Sequence, residues 1–244
     1  MTLHLRTGRP HQLGARFDGE GTNFAVFSAN ADRINLCLFS PDGSTELDRV
    51  RLPERTGHIL HGYAPGLKPG SLYGLRAEGT YSPEQGHRFN PNKLLLDPYA
   101  REFKGSWADN SALLGYVENA ASQDLSFDRR DSARFVPKSV VSDPALLNHI
   151  EHRGDVDWSH TLIYEAHVKG MTMEFPGLPD TIRGSYEGLA SDAVLDHLKQ
   201  LGITAIELLP VHSFIDDSFL VKRKLRNYWG YNTIGFFAPE PRYF

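Results

Sequence analysis

Cysteine is almost absent from this chain, which contains a single one, Cys37, among 244 residues. One cysteine cannot form a disulfide within the chain, so a fold held by internal disulfides is excluded. The first residues, from Met1 to Arg6, also lack the apolar stretch of a secretory signal. Together these observations predict a protein of the reducing cytoplasm.

An excess of charge and long apolar runs are absent as well. The chain has 26 Lys and Arg against 30 Asp and Glu, a net charge of -4. Such a balance predicts no broad basic surface, so nucleic acid is not expected as a partner and a neutral substrate fits better. No stretch reaches the roughly 18 consecutive apolar residues of a membrane helix. No membrane partner is expected either, and hydrophobic residues, at 40%, suffice for a folded core.

Short runs of strand-forming residues and turn sequences alternate between residues 22 and 80. In two of the runs apolar residues alternate with small or polar ones, namely Phe24, Val26, Ile34, Leu36 and Leu38. This period predicts strands that are buried on one face. Proline and glycine mark turns at 40–43 and 67–70, because proline presets a backbone angle and glycine accepts positive φ. The region, with residues 1–105 as its bounds, is predicted to be an all-β, immunoglobulin-like antiparallel sandwich.

Residues 106–160 show little periodicity and much punctuation. Prolines at 137 and 144 push the preceding residue away from helix. Apolar side chains such as Trp107, Phe127 and Phe135 are more than a flexible linker would carry. We therefore expect an irregular but ordered connecting segment.

The period changes again after residue 161. Residues 162–168 form a short, largely apolar run, which is typical of a strand covered on both faces. Ser191 is a suitable N-cap and Gly202 a suitable C′ residue for a helix between them. Residues 203–211 then predict a second buried strand. A helix between two strands predicts a right-handed crossover with the strands parallel.

Three stretches carry a family resemblance. They are residues 86–100, beginning Gly-His-Arg-Phe-Asn-Pro; residues 163–172, Ile-Tyr-Glu-Ala-His-Val-Lys-Gly-Met-Thr; and residues 202–211 together with Asn-Tyr-Trp-Gly-Tyr-Asn at 227–232. Their order and spacing resemble the glycogen debranching and isoamylase-type branch of the alpha-amylase superfamily of glycoside hydrolases. With residues 14–24, the resemblance covers nearly the whole chain.

The resemblance implies a carbohydrate-binding module of isoamylase type at 1–105, then the connecting segment, then the start of a truncated (β/α)8 barrel at 161–244. It also implies hydrolysis of α-1,6 branch linkages of glycogen by a retaining mechanism with two carboxylates. The catalytic aspartate and glutamate would lie beyond Phe244, so no catalytic residue is expected in this chain. No cofactor and no metal are implied, and the oligomeric state is not predicted.

The candidate substrate-binding residues are Tyr228, Trp229 and Tyr231, on a loop after the second predicted barrel strand. A sugar ring has a face of C–H bonds that a flat aromatic side chain can cover. The resemblance implies that Tyr231 is the platform under the glucose at the cleavage position. The other reading, that these aromatics only pack against the next strand, stays open here.

Other polar residues are assigned structural roles. Glu165 and Glu207 lie in the middle of predicted barrel strands rather than at their carboxyl ends, so we expect buried structural glutamates. His167, expected inside a strand, and His212 lack further ligands at a diagnostic spacing for a metal, so we expect for them a structural role or a contact with the edge of a substrate. Neighbouring Asp216 and Asp217 likewise do not predict a calcium site.

Two questions stay open at this point. Tyr63, Tyr73 and Tyr81 are candidates for holding a glucan on the sandwich, but the sequence does not give the face they occupy. The alternatives in function are a non-catalytic glucan-binding fragment, or a related branching or trehalose-releasing enzyme. Two or three barrel strands would also leave apolar faces uncovered, including Ile206 and the adjacent leucines.

Overall fold

The computed structural model describes residues 3–147 and 156–244. The chain divides into two compact units, residues 1–148 and 149–244. The strands of the first unit are β1 (Gly14–Phe17), β2 (Gly21–Phe27), β3 (Arg33–Phe39), β4 (Glu46–Arg51), β5 (Glu54–Thr56), β6 (Ile59–Pro65), β7 (Leu72–Glu78), β8 (Tyr81–Ser82), β9 (His87–Arg88), β10 (Phe103–Lys104) and β11 (Lys138–Val140).

Two antiparallel sheets form the body of the first unit. One has the order β1-β2-β6-β5 and the other β10-β11-β7-β3-β4. Their facing sides share one core, which includes Phe24, Val26, Ile34, Leu36, Leu60 and Leu75. The turns come where proline and glycine predict them, with Gly43 at φ 74° and Gly70 at φ 86°. The predicted sandwich strands are confirmed.

The second sheet is covered on its outer side too. A second cluster lies there and contains Cys37, Phe39, Leu72, Leu94, Val136 and Val140. Leu36 and Cys37, which are neighbours in β3, are both fully buried at 0% exposure. The prediction that β3 is buried on one face is therefore wrong. Residues 94–140 cover this outer side, and their sequence has no period that would have predicted it. Strand β11, within that stretch, pairs with β7 and so joins the sheet itself.

Buried polar contacts fix this covering stretch to the sandwich. The Arg76 side chain, 1% exposed, donates to the Pro91 carbonyl at 3.0 Å and to the Asp131 carboxylate at 2.8 Å. The Tyr73 hydroxyl donates to Asp97 Oδ2 at 2.7 Å. Because Arg76, Tyr73 and Asp97 are buried, their polar groups need these partners, so the covering stretch is held in one place.

The second unit contains β12 (Ile163–Ala166), α1 (Val168–Thr172), α2 (Tyr186–Leu189), α3 (Asp192–Gln200), β13 (Ala205–Leu208), β14 (His212–Phe214), α4 (Ser218–Val221) and β15 (Thr233–Pro239). Strands β12 and β13 are parallel, with Tyr164 opposite Ile206. Helix α3 has Ser191 as its N-cap residue and Gly202, at φ 75°, just past its end. The predicted strand, helix, strand unit is confirmed. No helix in the described residues has the length and apolar character that crossing a membrane requires.

The two parallel strands are largely exposed. Ile163 is 51% and Ile206 39% exposed, so the prediction of strands covered on both faces is wrong for this chain. Glu165 and Glu207, register partners on one face, are exposed rather than buried. The physical reason is that, in the part of the chain that the structure describes, each of these strands pairs with one other strand, and Val194 and Leu198 of α3 pack only on the side that carries Tyr164.

Strands β14 and β15 form an antiparallel pair that the sequence did not predict. Register shifts interrupt it on both sides of Ser213. The pair brings Phe214 beside the last residues of the chain, where it shares a core with Val168 and Tyr243. It thereby places the loop that connects α4 to β15 next to the carboxyl end of β12.

Candidate functional site

The candidate site lies where β12 ends. His167 follows the last residue of that strand and is the N-cap of α1. Facing it is a stretch of residues 227–232, here called the aromatic loop, between α4 and β15. Its three aromatic side chains are well exposed: Tyr228 at 45%, Trp229 at 57% and Tyr231 at 72%. Exposed large aromatics on one loop are a feature of binding surfaces.

His167 stacks on Tyr228. The ring centroids are 4.3 Å apart and the planes differ by 4°. The Gly170 N–H donates to His167 Nδ1 at 3.1 Å, and His167 Nε2 lies 2.8 Å from the Tyr228 carbonyl oxygen. Since Nδ1 accepts, we assign the proton of a neutral ring to Nε2, which then donates to that carbonyl. One imidazole therefore joins the end of β12, the start of α1 and the aromatic loop.

Trp229 and Tyr243 complete the group around the imidazole. Trp229 stands nearly perpendicular to Tyr228, at 87° and 5.2 Å. The buried Tyr243 ring meets the His167 ring edge-on at 5.7 Å, and its hydroxyl lies 3.2 Å from His167 Nε2. Two candidate residues, Tyr228 and Trp229, are thus brought together, whereas Tyr231 stands out toward solvent. Their role in substrate binding stays a prediction.

Hydrogen bonds hold the aromatic loop in place. The Asn227 backbone N–H donates to Asp216 Oδ1 at 2.8 Å, and the Gly230 N–H donates to the Asn227 side-chain oxygen at 2.9 Å. Asn232 donates to Asp217 Oδ1 at 3.0 Å. The two neighbouring aspartates therefore serve as acceptors for the loop.

Glycine is required at position 230. Its φ is 84°, and a Cβ there would come within 3.0 Å of Pro210 Cβ and Phe214 Cε1. Both the left-handed backbone and the close approach disfavour any side chain.

An ion pair between Glu240 and Arg242 holds the residues to which the aromatic loop is bonded. Glu240, 2% exposed, accepts from the Phe214 N–H at 3.0 Å and from Arg242 Nε at 2.5 Å. Arg242 also pairs with Asp216 at 3.0 Å and lies over the Phe214 ring at 4.1 Å. Burial lowers the pKa of Arg242, but the bonds to Glu240 and Asp216 outweigh it and raise that pKa. The guanidinium of Arg242 therefore stays charged and remains paired with Asp216.

Tyr186 belongs to the same support. Its hydroxyl donates to the Val211 carbonyl at 3.0 Å and accepts from the Glu240 N–H at 3.1 Å. Burial raises the pKa of Tyr186 to about 12. The phenol therefore stays protonated and keeps donating across the neutral range.

Sequence reasoning missed Tyr243, Glu240 and Arg242 as parts of this site, and for His167 it left a structural role and a contact with the edge of a substrate both open. It placed His167 inside a strand, which is wrong, because His167 is the N-cap residue of α1 and its imidazole accepts from the Gly170 N–H. The glycine three residues later is a usable signal, because an N-cap side chain bonds to that N–H. No local signal connects His167 to residues 61 positions further along the chain.

The tyrosines considered on the sandwich differ in accessibility. Tyr73 is 0% exposed, and burial raises its pKa well above the ordinary value, so it cannot contact a glucan. Tyr63 is partly exposed and donates to Asp18 at 3.0 Å. Tyr81 packs edge-on against Phe127 at 4.7 Å and borders a cavity of about 540 Å³.

The chain is similar in sequence to known proteins along nearly all of its length. Residues 12–100 match the model of carbohydrate-binding module 48, the isoamylase N-terminal domain. Over 239 residues, 98% of the chain, it is 47% identical to the glycogen debranching enzyme of Yersinia enterocolitica. The resemblance to glycogen debranching enzymes is confirmed. A glycogen operon protein GlgX homolog of Mycobacterium tuberculosis is 45% identical over 97% of the chain.

The chain spans about a third of the length of these relatives, 35% of the Yersinia enterocolitica enzyme and 32% of the Mycobacterium tuberculosis protein. Solved structures agree in fold. The catalytic module of the glycogen-degrading pneumococcal virulence factor SpuA has a TM-score of 0.68 at 20% identity, over 97% of this chain and 33% of that one. A pullulanase from Paenibacillus barengoltzii has a TM-score of 0.67 at 18% identity, over 96% and 32%. The β-rich fold with an immunoglobulin-like module is thereby shown.

Proposed function

We propose that this chain is the glucan-holding portion of a cytoplasmic glycogen debranching enzyme. The whole enzyme hydrolyses α-1,6 branch linkages of glycogen by a retaining mechanism, and its two catalytic carboxylates lie outside these residues. The identity of 47% to a glycogen debranching enzyme over 98% of the chain supports the proposal.

The proposal also assigns the parts of the chain. Residues 1–105 are the carbohydrate-binding module, 106–160 the connection, and 161–244 the first strands and helix of a (β/α)8 barrel. The parallel pairing of β12 with β13 through α3 is the geometry that such a barrel repeats. The exposed faces of both strands are the surfaces that further strands and core residues of a barrel would cover.

The observation that carries the proposed binding role is the position of the aromatic loop. Active sites of these barrels form at the carboxyl ends of the strands, and the aromatic loop lies beside the carboxyl end of β12, joined to His167. Exposed aromatic faces suit the C–H face of a glucose ring. Tyr231, the most exposed of the three at 72%, is the proposed platform under the glucose.

The carboxylates of the second unit support the assignment of catalysis to other residues. Retaining hydrolysis needs two carboxyl groups roughly 5 to 5.5 Å apart that face the sugar. Asp216 and Glu240 are instead engaged by Arg242. Glu165 and Glu207 are each the last residue but one of their strands, followed there by Ala166 and Leu208 rather than by a loop.

A chimera tests the function. This chain replaces the matching segment of the Yersinia enterocolitica enzyme, and new reducing ends are measured on glycogen. We expect activity from the chimera, a loss of about tenfold or more in kcat/KM for Tyr231→Ala, and little effect of Trp158→Ala, an exposed aromatic outside the loop. An active chimera with unchanged turnover after Tyr231→Ala would remove the assignment of the platform.

The second candidate is a glucan-binding chain without catalysis. The match of residues 12–100 to carbohydrate-binding module 48 favours considering it. Release of reducing ends by the 244-residue chain alone would contradict both readings, because neither places a catalytic carboxylate within it. Binding of glycogen without release agrees with both readings, and the active chimera then decides for the enzyme.

A further inference from the structure

We propose that His167 is the positioning residue of the candidate site: its imidazole sets the orientation of the Tyr228 ring and holds the aromatic loop ready for a glucose ring. This inference rests on the proposed function. It assigns a task to a residue that itself has almost no exposed surface, at 8%.

The stacked geometry is the first argument. The planes of His167 and Tyr228 differ by only 4°, so the orientation of the imidazole sets that of the phenol ring. His167 covers one face of Tyr228, while Tyr228 keeps 45% of its surface exposed. A buried ring under a half-exposed ring leaves the outward face of the second one available.

The hydrogen bonds of the imidazole are the second argument. The Gly170 N–H holds Nδ1, and Nε2 binds the Tyr228 carbonyl. Both nitrogens are therefore occupied by fixed backbone groups, and the ring cannot turn about its axis without losing one bond. The stack and the carbonyl bond reach the same residue, so they fix the Tyr228 side chain and backbone together.

The arrangement of the loop is the third argument. Trp229 stands at 87° to Tyr228, and together the two rings form a corner with exposed surface on both. A pyranose ring has an apolar face and a polar edge, which such a corner can contact at the same time. If the Tyr228 ring changes its orientation, the angle between the Tyr228 and Trp229 rings changes and the two rings no longer fit one sugar ring.

Two substitutions disturb Tyr228 in different ways. His167→Asn keeps a side-chain oxygen for the Gly170 N–H, because asparagine is a good N-cap, but removes the stacked ring. Gly170→Ala leaves His167 intact and places a Cβ 2.8 Å from the Tyr228 hydroxyl, which must then move. Alanine is also the better helix former, so this change does not weaken α1. Gly115→Ala, at a glycine with open space around it, is the matched control.

The experiment is a titration of the 244-residue chain with maltotriose, followed by tryptophan fluorescence, with thermal unfolding of each variant alongside. We expect maltotriose to bind about threefold to tenfold more weakly to His167→Asn and to Gly170→Ala, and unchanged to Gly115→Ala. Gly170→Ala should unfold at the wild-type temperature or above it. If the contact near Tyr228 were only structural, weaker binding would come with a lower unfolding temperature.

The outcomes separate the two proposals. If the wild-type chain binds maltotriose and Gly170→Ala and His167→Asn bind it equally well, the positioning role is overturned and the proposed function stands. If His167→Asn fails to fold, His167→Ser, which is also a good N-cap without a ring, decides by the same criterion. If the wild-type chain does not bind maltotriose, both the binding role of the loop and the positioning role are overturned.

Discussion

Replacing Asp128 with asparagine removes a carboxylate that is buried within the covering stretch of the first unit. Asp128 is 1% exposed and accepts from Lys93 Nζ at 3.2 Å, from the Arg130 N–H at 2.7 Å and from Arg130 Nε at 2.9 Å. Burial raises the pKa of Asp128, but the bonds from Arg130 and Lys93 outweigh it and lower that pKa from 3.8 to about 2.

The magnitude follows from linkage between protonation and folding. Because the folded pKa is depressed, the stabilisation is present above pH 3.8 and is lost as the pH falls toward about 2. At about 1.4 kcal/mol for each pH unit, this interval corresponds to about 2.5 kcal/mol. The Arg130 side chain is 51% exposed, and solvent screening reduces that figure to about 1 to 2 kcal/mol.

The substitution also leaves the Lys93 ammonium without its anion. That side chain is 8% exposed and keeps two carbonyl partners, Ala112 at 2.8 Å and Arg130 at 2.9 Å. Breaking a buried pair costs up to about 3 to 5 kcal/mol, and the remaining carbonyls offset part of it. We therefore expect Asp128→Asn to lower the free energy of unfolding by about 3 kcal/mol at pH 7.

Urea denaturation of the chain at pH 7 and at pH 2.5 measures the effect. The difference between wild type and Asp128→Asn should shrink by about 1 kcal/mol at the lower pH, because the unfolded carboxyl is then protonated while the folded one, with a pKa of about 2, still resists protonation. Asp124→Asn is the control, since Asp124 is 54% exposed and pairs with the exposed Arg88, and it should cost less than about 1 kcal/mol. Equal stability of wild type and Asp128→Asn at pH 7 would refute the reasoning.

Two further predictions concern single residues. Gly230→Ala should destabilise the second unit by about 1 to 2 kcal/mol through the left-handed backbone and the contacts with Pro210 and Phe214, and it should weaken maltotriose binding. Gly57→Ala is the control for the backbone effect alone, because Gly57 has φ 57° and open space around it. Equal losses of stability in thermal unfolding for the two variants would contradict the contribution of the contacts. Cys37 is 0% exposed, and burial raises the pKa of its thiol to about 12. A thiol reagent should therefore label it at the rate at which the first unit unfolds. Fast labelling in native buffer would contradict the burial of Cys37 in the cluster on the outer side of the second sheet.

The sequence predicts well the elements that local chemistry determines. Alternation of apolar residues marks strands β2 and β3, and proline with glycine marks the turns. Ser191 and Gly202 mark the ends of α3 within one residue. These signals act over a few neighbouring residues, so they can be seen without the fold.

The remaining features depend on contacts between distant residues. The second buried face of β3 arises from Leu94 and Val136, which have no periodic pattern of their own. The stack of His167 on Tyr228 spans 61 positions. Residues such as these have no local signature, which explains why the candidate loop could be named from its aromatics but its support could not.

The exposure of Glu165 and Glu207 has a different origin. Their strands have the composition of buried strands, and burial requires elements that pack on both faces. With one strand neighbour each, the faces stay open. Composition alone therefore does not decide the burial of these strands, which depends on the elements that pack against them.

The most direct measurement of the central claim is nuclear magnetic resonance of the 244-residue chain with maltotriose. The account predicts that the aromatic resonances of Tyr228, Trp229 and Tyr231 shift together and saturate, while those of the buried Tyr73 stay unchanged. Shifts confined to the first unit, or none at millimolar maltotriose, would contradict the claim that the aromatic loop holds glucose.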